Sequence, residues 1–590
     1  MHILDWTILA MYMLIMLVVG FLYKNRAKKS LSDYFLSGRN FPWWLAGTSI
    51  VATTLSVDTP LAVTGFVAKN GIAGNWFWWL TCLSSMTVAF FFARLWRRSN
   101  VLTDVEFIEL RYSGKSAAVL RGFAAVYRGL FLNVIKLAWV ILAMSKILDS
   151  LFSVGKETSL IVSVAVVVVY SVMSGLWGVV IADFLQFFIA MGGSIVFAVL
   201  AVRHVGGIGG LETALLQRFG EQGTADMLAV LPPLGSMWMP FFTLFVYLGI
   251  MWWSDAHIEG GGYVAQRLMA SKDEKHAVFA SIWFNFAHVA LRPWPWIMVA
   301  LVSLVVFPDL VDKEAGFPMM MNLVLPAGLK GLMVTAFFAA FMSTISTLMN
   351  WGSSYLVNDL YKRFMAKGKT ERHYLCASKV CDATILVLAY FVSKGMNSIV
   401  GMWELLFSFT AGLGVIYAAR WFWWRVNAWS EVTAMVASGI MSIVLTTQTS
   451  LDFPHKIVII LPVSIVAWMT VTFLTKPVET SRLVEFYKRA RPYPLLWKKI
   501  LVQMPDAANY ACPDDFYRNV RCWLWGVLSV YTLLFAIGKW VFLQTVPALM
   551  LTASCIFFSA LLARELLAAE KAKGEGECVP AIAQPALETE

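Results

Sequence analysis

Apolar runs of about 18–25 residues alternate with short polar connections from residue 3 to residue 568. A helix rising 1.5 Å per residue needs about 20 such residues to cross the ~30 Å hydrocarbon core of a bilayer. Fifteen runs qualify, at 3–23, 42–69, 74–95, 119–151, 157–175, 177–203, 234–254, 276–307, 330–361, 374–394, 399–420, 430–448, 455–475, 521–541 and 546–568. Every backbone polar group in lipid must be paired internally, so this pattern predicts an all-α polytopic membrane protein. The longest polar connection, 476–520, leaves no room for a soluble catalytic domain.

Composition agrees with the pattern. Of 590 residues, 59% are hydrophobic and 14% charged, and the mean hydropathy is +0.69. The net charge of +11 raises nucleic acid as a partner, but the positive charge sits in short loops. Lys24, Arg26, Lys28, Lys29 and Arg39 follow the first span, and Arg94, Arg97, Arg98 and Arg111 the third. Arg267, Lys272 and Lys275 follow the seventh, "YKRFMAKGKTER" the ninth, and "FYKRARPYPLLWKK" the thirteenth. If spans alternate, all these loops share one side, so the positive-inside rule predicts an outside N-terminus and a cytoplasmic C-terminus. The predicted setting is the lipid bilayer of the plasma (bacterial inner) membrane, with no nucleic-acid role. The seven cysteines are scattered with no metal-ligand spacing, the first span is long enough to remain in the membrane rather than be cleaved, and 569–590 reads as a polar cytoplasmic tail.

Two spans are irregular. The second reads "PWWLAGTSIVATTLSVDTPLAVTGFVAKNG", with Thr53, Thr54, Ser56, Asp58 and Thr59 at its middle and then Pro60. The seventh runs into "MWWSDAHIEGGGYVAQR", where three glycines follow Asp255, His257 and Glu259. Secondary transporters place broken helices at matching positions of two inverted repeats and bind substrate and ions at the breaks. The two breaks lie five spans apart, and an odd spacing inverts the second copy. The predicted organisation is 1–41, an N-terminal helix and basic loop; 42–205 and 206–425, two repeats; 426–568, flanking helices; and the tail.

The ninth span carries "AFFAAFMSTISTLMNWGSS", with hydroxyls at Ser343, Thr344, Ser346 and Thr347. At about 100° per residue, Ala340, Ser343, Thr344 and Thr347 share one side of a helix, and Ser346 lies in the adjacent sector. Such hydroxyls often bond back to the preceding turn or let helices pack closely. Four in five residues suit another role as well: Na+ is a hard cation, and neutral hydroxyl and carbonyl oxygens suit hard cations. A broken second span would supply the carbonyls.

The segments "AAFMSTISTLMN", "SSYLVNDLYKRF", "SDYFLSGRNFPWWLAGTSIVATTLS", "YSVMSGLWGVVIADFLQF" and "YVAQRLMASKDEKHA" resemble the sodium/solute symporter family, in order and spacing, over about 30–420. The resemblance implies a LeuT-type five-plus-five inverted repeat with flanking helices, no enzymatic activity, and Na+-driven import of a small polar organic solute (sugar, sugar acid, amino acid or similar) by alternating access. It places a first sodium site on the carbonyls of Ala52, Leu55 and Ala340 and the hydroxyls of Ser343 and Thr344. Some members carry a second site, which would fall on Asp183, Ser343, Ser346 and Thr347. It makes the middles of the second and fourth spans the solute cavity, so Thr54, Ser56, Asp58, Thr59, Asn133 and Lys136 are candidates. The tryptophans Trp252 and Trp253 and the run "NWFWWL" (75–80) are aromatic candidates, and Glu404 and Arg292 are charged ones.

The chain departs from the family in the acidic and imidazole groups of "SDAHIEGGG" and in having more spans than is usual. Charges inside a membrane are costly and so are paired or functional; Asp58 and Lys136 either neutralise each other or contact solute. A membrane solute sensor of the same fold is the alternative reading. Channel filters and hydrolase pairs have no counterpart here, and His288 and Ser353–Ser354 form no nucleophile–base pair on sequence grounds.

Overall fold

The computed structural model describes residues 1–23, 39–101, 104–170 and 176–574. Among them the secondary structure is helical, with one isolated bridge between Phe41 and Ser271 in place of any sheet. Ten helices are long and apolar enough to cross a membrane, and two further spans arise if each of two bent pairs counts as one.

We number the helices along the chain. The first, α1, is Ile3–Tyr23. The second predicted span is a bent pair, α2 (Trp43–Thr53) and α3 (Asp58–Asn70), with 64° between the halves. Then come α4 (Ile72–Ser99) and α5 (Gly114–Phe152), α6 (Lys156–Tyr170), α7 (Leu176–His204) and α8 (Gly207–Leu228). The seventh predicted span is again two pieces, α9 (Phe241–Ser254) and α10 (Tyr263–Ala270). They are followed by α11 (Glu274–Val306), α12 (Leu329–Met365) and α13 (Glu371–Lys394). A second bent pair, α14 (Ile399–Thr410) and α15 (Gly414–Phe422), has 41° between its halves. Two antiparallel pairs close the chain: α16 (Ala428–Gln448) with α17 (Phe453–Leu474), and α18 (Phe516–Val541) with α19 (Thr545–Gly574).

Both predicted interruptions are present, and local chemistry explains them. In α3, Pro60 is the third residue of the helix, where its missing N–H leaves no intrahelical bond unmade. Between α9 and α10 the backbone is extended at Asp255, makes one 3-10 turn over Ala256–Glu259, and passes Gly260 and Gly262 at φ of 73° and 68°. Those positive angles favour glycine, because a Cβ there meets the backbone.

The interruptions are anchored by groups distant in sequence. Glu259 pairs with Arg420 and accepts from the Trp421 indole at 2.6 Å, and Arg420 also pairs with Glu431 at 3.2 Å. The Arg420 and Glu259 side chains are essentially inaccessible, so the acidic group is held by its own buried counter-ion. Gly414 opens α15 directly against the backbone of Trp253–Asp255, where any side chain would collide. The long helix α12 packs on α1, α2, α5, α7 and α13, which brings its hydroxyls beside the end of α2.

Candidate functional site

At its C-terminal end α2 stops with carbonyls that α3 cannot satisfy, and Arg292 of α11 reaches them. Its guanidinium donates to the Thr54 carbonyl at 2.8 Å, the Val51 carbonyl at 3.1 Å and the Thr54 hydroxyl at 2.9 Å. It also lies 3.1 Å from Nδ1 of His288, one turn earlier on the same helix. Arginine can only donate, so Nδ1 accepts and the proton of the neutral ring sits on Nε2. Trp78 and Phe284 stack on the two sides of that imidazole, at centroid distances of 4.4 and 4.6 Å.

Beside this break lies a cavity of about 250 Å³. Thr54, Ser56, Asp58, Thr59, Lys136, Thr344 and Thr347 line it, all of them candidates from sequence. Aromatic walls come from Phe77, Trp78, Trp139, Tyr263, Phe284 and Trp403, with His257 and His288 among them. On this wall Thr344 Oγ1 is buried without a hydrogen-bond partner, whereas the Asp58 carboxylate is hydrogen-bonded by Ser56 and Trp403. A buried polar atom left unpaired costs about 1–3 kcal/mol, and native proteins carry few of them. At the cavity wall that hydroxyl is an oxygen suited to an incoming ion.

Two other cavities are relevant to it. A wider chamber of about 770 Å³ is lined by Lys69, Lys146, Glu314 and Glu404 among others. Trp403 lines the central cavity, next to Glu404 of the wider one, and packs against Phe66, Trp78 and Trp139 at 5.8–6.2 Å between ring centroids. A chamber of about 60 Å³ shares Lys136, His257, Tyr263 and Leu406 with the central cavity and continues to Asp104, Arg128 and Tyr417.

Of the first predicted sodium set, Ala52, Leu55, Ala340 and Ser343 are buried, on or next to two helices that touch, α2 and α12, and Thr344 adds the unpartnered hydroxyl. This oxygen-rich, charge-free set suits a hard monovalent cation. Of the second set, the Ser346 hydroxyl donates to the Ser343 carbonyl at 3.0 Å and Thr347 lines the cavity. The side chain of Asp183 lies outside the described residues.

Other candidates sit elsewhere. Asn133 is buried and donates to the Leu348 carbonyl at 2.8 Å, joining α5 to α12 away from the cavity lining. Trp252 packs on Trp523 of α18, and Trp253 bonds back to the Gly249 carbonyl; neither lines the cavity. Glu404 pairs with Lys69 at 2.9 Å in the wide chamber. Asp58 and Lys136 form no ion pair with each other: the Lys136 ammonium lies 5.6 Å over the Trp351 ring. Sequence reasoning weighed His288 only as half of a nucleophile–base pair, and passed over Trp139 and Trp403. The spacing of His288 and Arg292, four residues apart on one helix face, was the available signal for the first. No His/Cys/Asp/Glu group among the described residues could hold a metal ion, so the oxygen set is the candidate cation site.

Comparisons with known proteins bear on this geometry. The sequence model described as the sodium:solute symporter family matches residues 34–438. The chain is 23% identical over 460 residues to the sodium/glucose cotransporter of Vibrio parahaemolyticus, covering 74% of this chain and 83% of that protein. It is 23% identical over 420 residues to sodium/glucose cotransporter 4 of Homo sapiens, covering 66% of this chain and 60% of that one. Among solved structures, a Na+-coupled sialic acid symporter in a substrate-bound outward-open state superposes with a TM-score of 0.64 at 20% identity, over 81% of this chain and 98% of that one; that likeness is one of fold.

Proposed function

The chain belongs to the sodium:solute symporter family and is a transporter rather than an enzyme, and from that premise we propose that it imports a small polar organic solute by sodium-coupled alternating access. The observation that carries this reading is the Thr344 hydroxyl, buried without a partner where the broken helix α2 meets α12. We assign the first sodium to the carbonyls of Ala52, Leu55 and Ala340 with the hydroxyls of Ser343 and Thr344. A second sodium at Asp183, Ser343, Ser346 and Thr347 is the further possibility that flux stoichiometry decides. Solute occupies the 250 Å³ cavity, which touches both breaks.

The two interrupted helices begin two runs of five spans, α2/α3 to α7 and α9/α10 to α15, which supports a five-plus-five inverted repeat over 42–205 and 206–425. Adding α1, α6 and α9/α10 to the long apolar helices and the two bent pairs supports fifteen spans. The basic loops then face the cytoplasm, with the N-terminus outside and the C-terminal tail inside. In that orientation the wide chamber opens outward and Trp403 is the outer barrier. The small chamber with Asp104 and Arg128 lies on the inner path. In each cycle sodium would bind first, neutralising the carbonyl-rich end of α2. Solute would then join it before the aromatic barrier closes.

Sodium-gradient-driven uptake by the protein in sealed vesicles tests the reading. Uptake should collapse when sodium is replaced by potassium inside and out. Uptake indifferent to sodium would refute it.

A further inference from the structure

A helix that stops inside a membrane leaves its last carbonyls without intrahelical partners. At the break between α2 and α3 these carbonyls fall into two sets. The Val51 carbonyl accepts from the Thr54 hydroxyl at 2.7 Å and from Arg292 at 3.1 Å, and the Thr54 carbonyl accepts from Arg292 at 2.8 Å. The Ala52 carbonyl accepts the Leu55 N–H at 2.9 Å, and the Leu55 carbonyl accepts no hydrogen bond from the described residues. Arg292 bonds to neither of this second pair, and the second pair is the one assigned to sodium.

Arg292 is wholly buried. Its charge is met by the ring faces of Trp78 and Trp296, whose centroids lie 5.3 and 5.2 Å away, by Asp58 acting through space, and by the carbonyl oxygens. Its rotation is fixed from behind: Nδ1 of His288 accepts from it at 3.1 Å, and that imidazole is itself clamped between Trp78 and Phe284. A guanidinium is a rigid planar fork, so it can hold two carbonyls at a set separation, which a lysine ammonium on a flexible stem cannot. Val51 and Thr54 each immediately precede one of the assigned ligands, Ala52 and Leu55. Peptide units are planar, so holding the Val51 and Thr54 oxygens restricts the dihedrals that aim the next carbonyl along.

We propose that Arg292 is the positioning residue of the sodium site: it holds the Val51 and Thr54 carbonyls and so aims those of Ala52 and Leu55 at the ion, with His288 holding the guanidinium in turn. This rests on the assignment of the first sodium to the break, and it adds the residues that shape that site without touching the ion. His288 also lines the central cavity, so the pair joins the wall that solute meets to the carbonyls that sodium meets.

Two measurements on the purified full chain test this: equilibrium binding of radioactive sodium, and thermal unfolding in potassium buffer, which reads folding without the ion. Arg292→Lys keeps the charge but loses the fork, so sodium should bind about tenfold or more weaker, the scale of one hydrogen bond to a charged group. His288→Phe keeps a ring between Trp78 and Phe284 but removes the Nδ1 acceptor, and should weaken sodium several-fold. His288→Asn returns an acceptor oxygen near the place of Nδ1 and should recover affinity to within about threefold of the parent. A mere tie between α2 and α11 would lower the unfolding midpoint in potassium and leave sodium affinity unchanged. The proposal is therefore overturned by parent-like sodium affinity in Arg292→Lys or, should that variant not fold, in His288→Phe. It is also overturned if His288→Asn binds sodium as weakly as His288→Phe, because the acceptor would then be irrelevant. Absence of sodium binding to the unmodified protein would instead strike the sodium-site assignment itself.

Discussion

Replacing Thr344 with valine should push two measurable quantities in opposite directions. The side chains are nearly the same shape, and their helix propensities are close, so the substitution exchanges a hydroxyl for a methyl and little else. Thr344 Oγ1 is buried and has no hydrogen-bond partner within the protein. A hydroxyl in that position costs about 1–3 kcal/mol relative to an apolar group. Thr344→Val should therefore be at least as stable as the parent in potassium buffer. In sodium the sign reverses. Losing one oxygen of the ion's shell removes a charge-assisted contact of about 1.5–3 kcal/mol, so sodium affinity should fall about ten- to a hundredfold. At a sodium concentration near a hundred times the parent's Kd, binding stabilises the parent by about 2.7 kcal/mol and the variant by only about 0.4–1.4 kcal/mol. Unfolding midpoints in a sodium titration at constant ionic strength, with potassium as the balancing ion, read both effects on one sample. A variant that is destabilised in potassium yet retains the full sodium response would refute the reasoning, because Thr344 would then be packing the helix rather than awaiting an ion.

Other consequences follow from the same geometry. Asp183→Asn should reduce the Hill coefficient for sodium activation from above one to one while leaving the site at Ser343 and Thr344 working; one sodium per solute in direct flux measurements on the unmodified protein removes Asp183 from ion binding. Trp403→Ala opens the barrier between the wide chamber and the central cavity, so solute bound in vesicles should dissociate faster to the outside and sodium leak without solute should rise; unchanged rates would show that another element seals the cavity. Arg420→Met leaves the buried Glu259 and Glu431 carboxylates uncompensated and should cost about 3–5 kcal/mol, read as a large drop in unfolding midpoint; a variant of normal stability would show that the break between α9 and α10 does not depend on that pair.

How legible the protein was in its sequence depended on how local the governing physics is. Apolar run length is set by the bilayer, and a proline or a glycine cluster interrupts a helix wherever the chain folds, so the all-helical, many-spanning pattern and the two predicted breaks could be read directly, whereas the bend between α14 and α15 could not. The hydroxyls of α12 could also be read, because four polar residues within five on a buried helix stand out by period alone. Which of them lacks a partner could not: Ser346 turns out to bond to the Ser343 carbonyl at 3.0 Å while Thr344 has no partner. Tryptophan content likewise pointed to aromatic walls without saying which rings. Trp252 and Trp253 carry the more suggestive local context, next to a break, yet pack away from the cavity. Trp139 and Trp403, isolated in ordinary apolar stretches, enclose it.

The charges divide in the same way. Sequence alone determined that Asp58, Lys136, Glu259 and Arg292 lie in or beside membrane spans, and the cost of burying charge required each to be answered by something. Only the tertiary structure decided the answers: Glu259 by Arg420, 161 positions away, and Arg292 by the carbonyls at the end of α2, 238 positions away. It also decided that Asp58 and Lys136 do not answer each other. Desolvation is a property of a residue and its span, so one sequence reveals it. Compensation is a property of a pair brought together by helix packing, and helix packing is set by the whole bundle rather than by any segment of it.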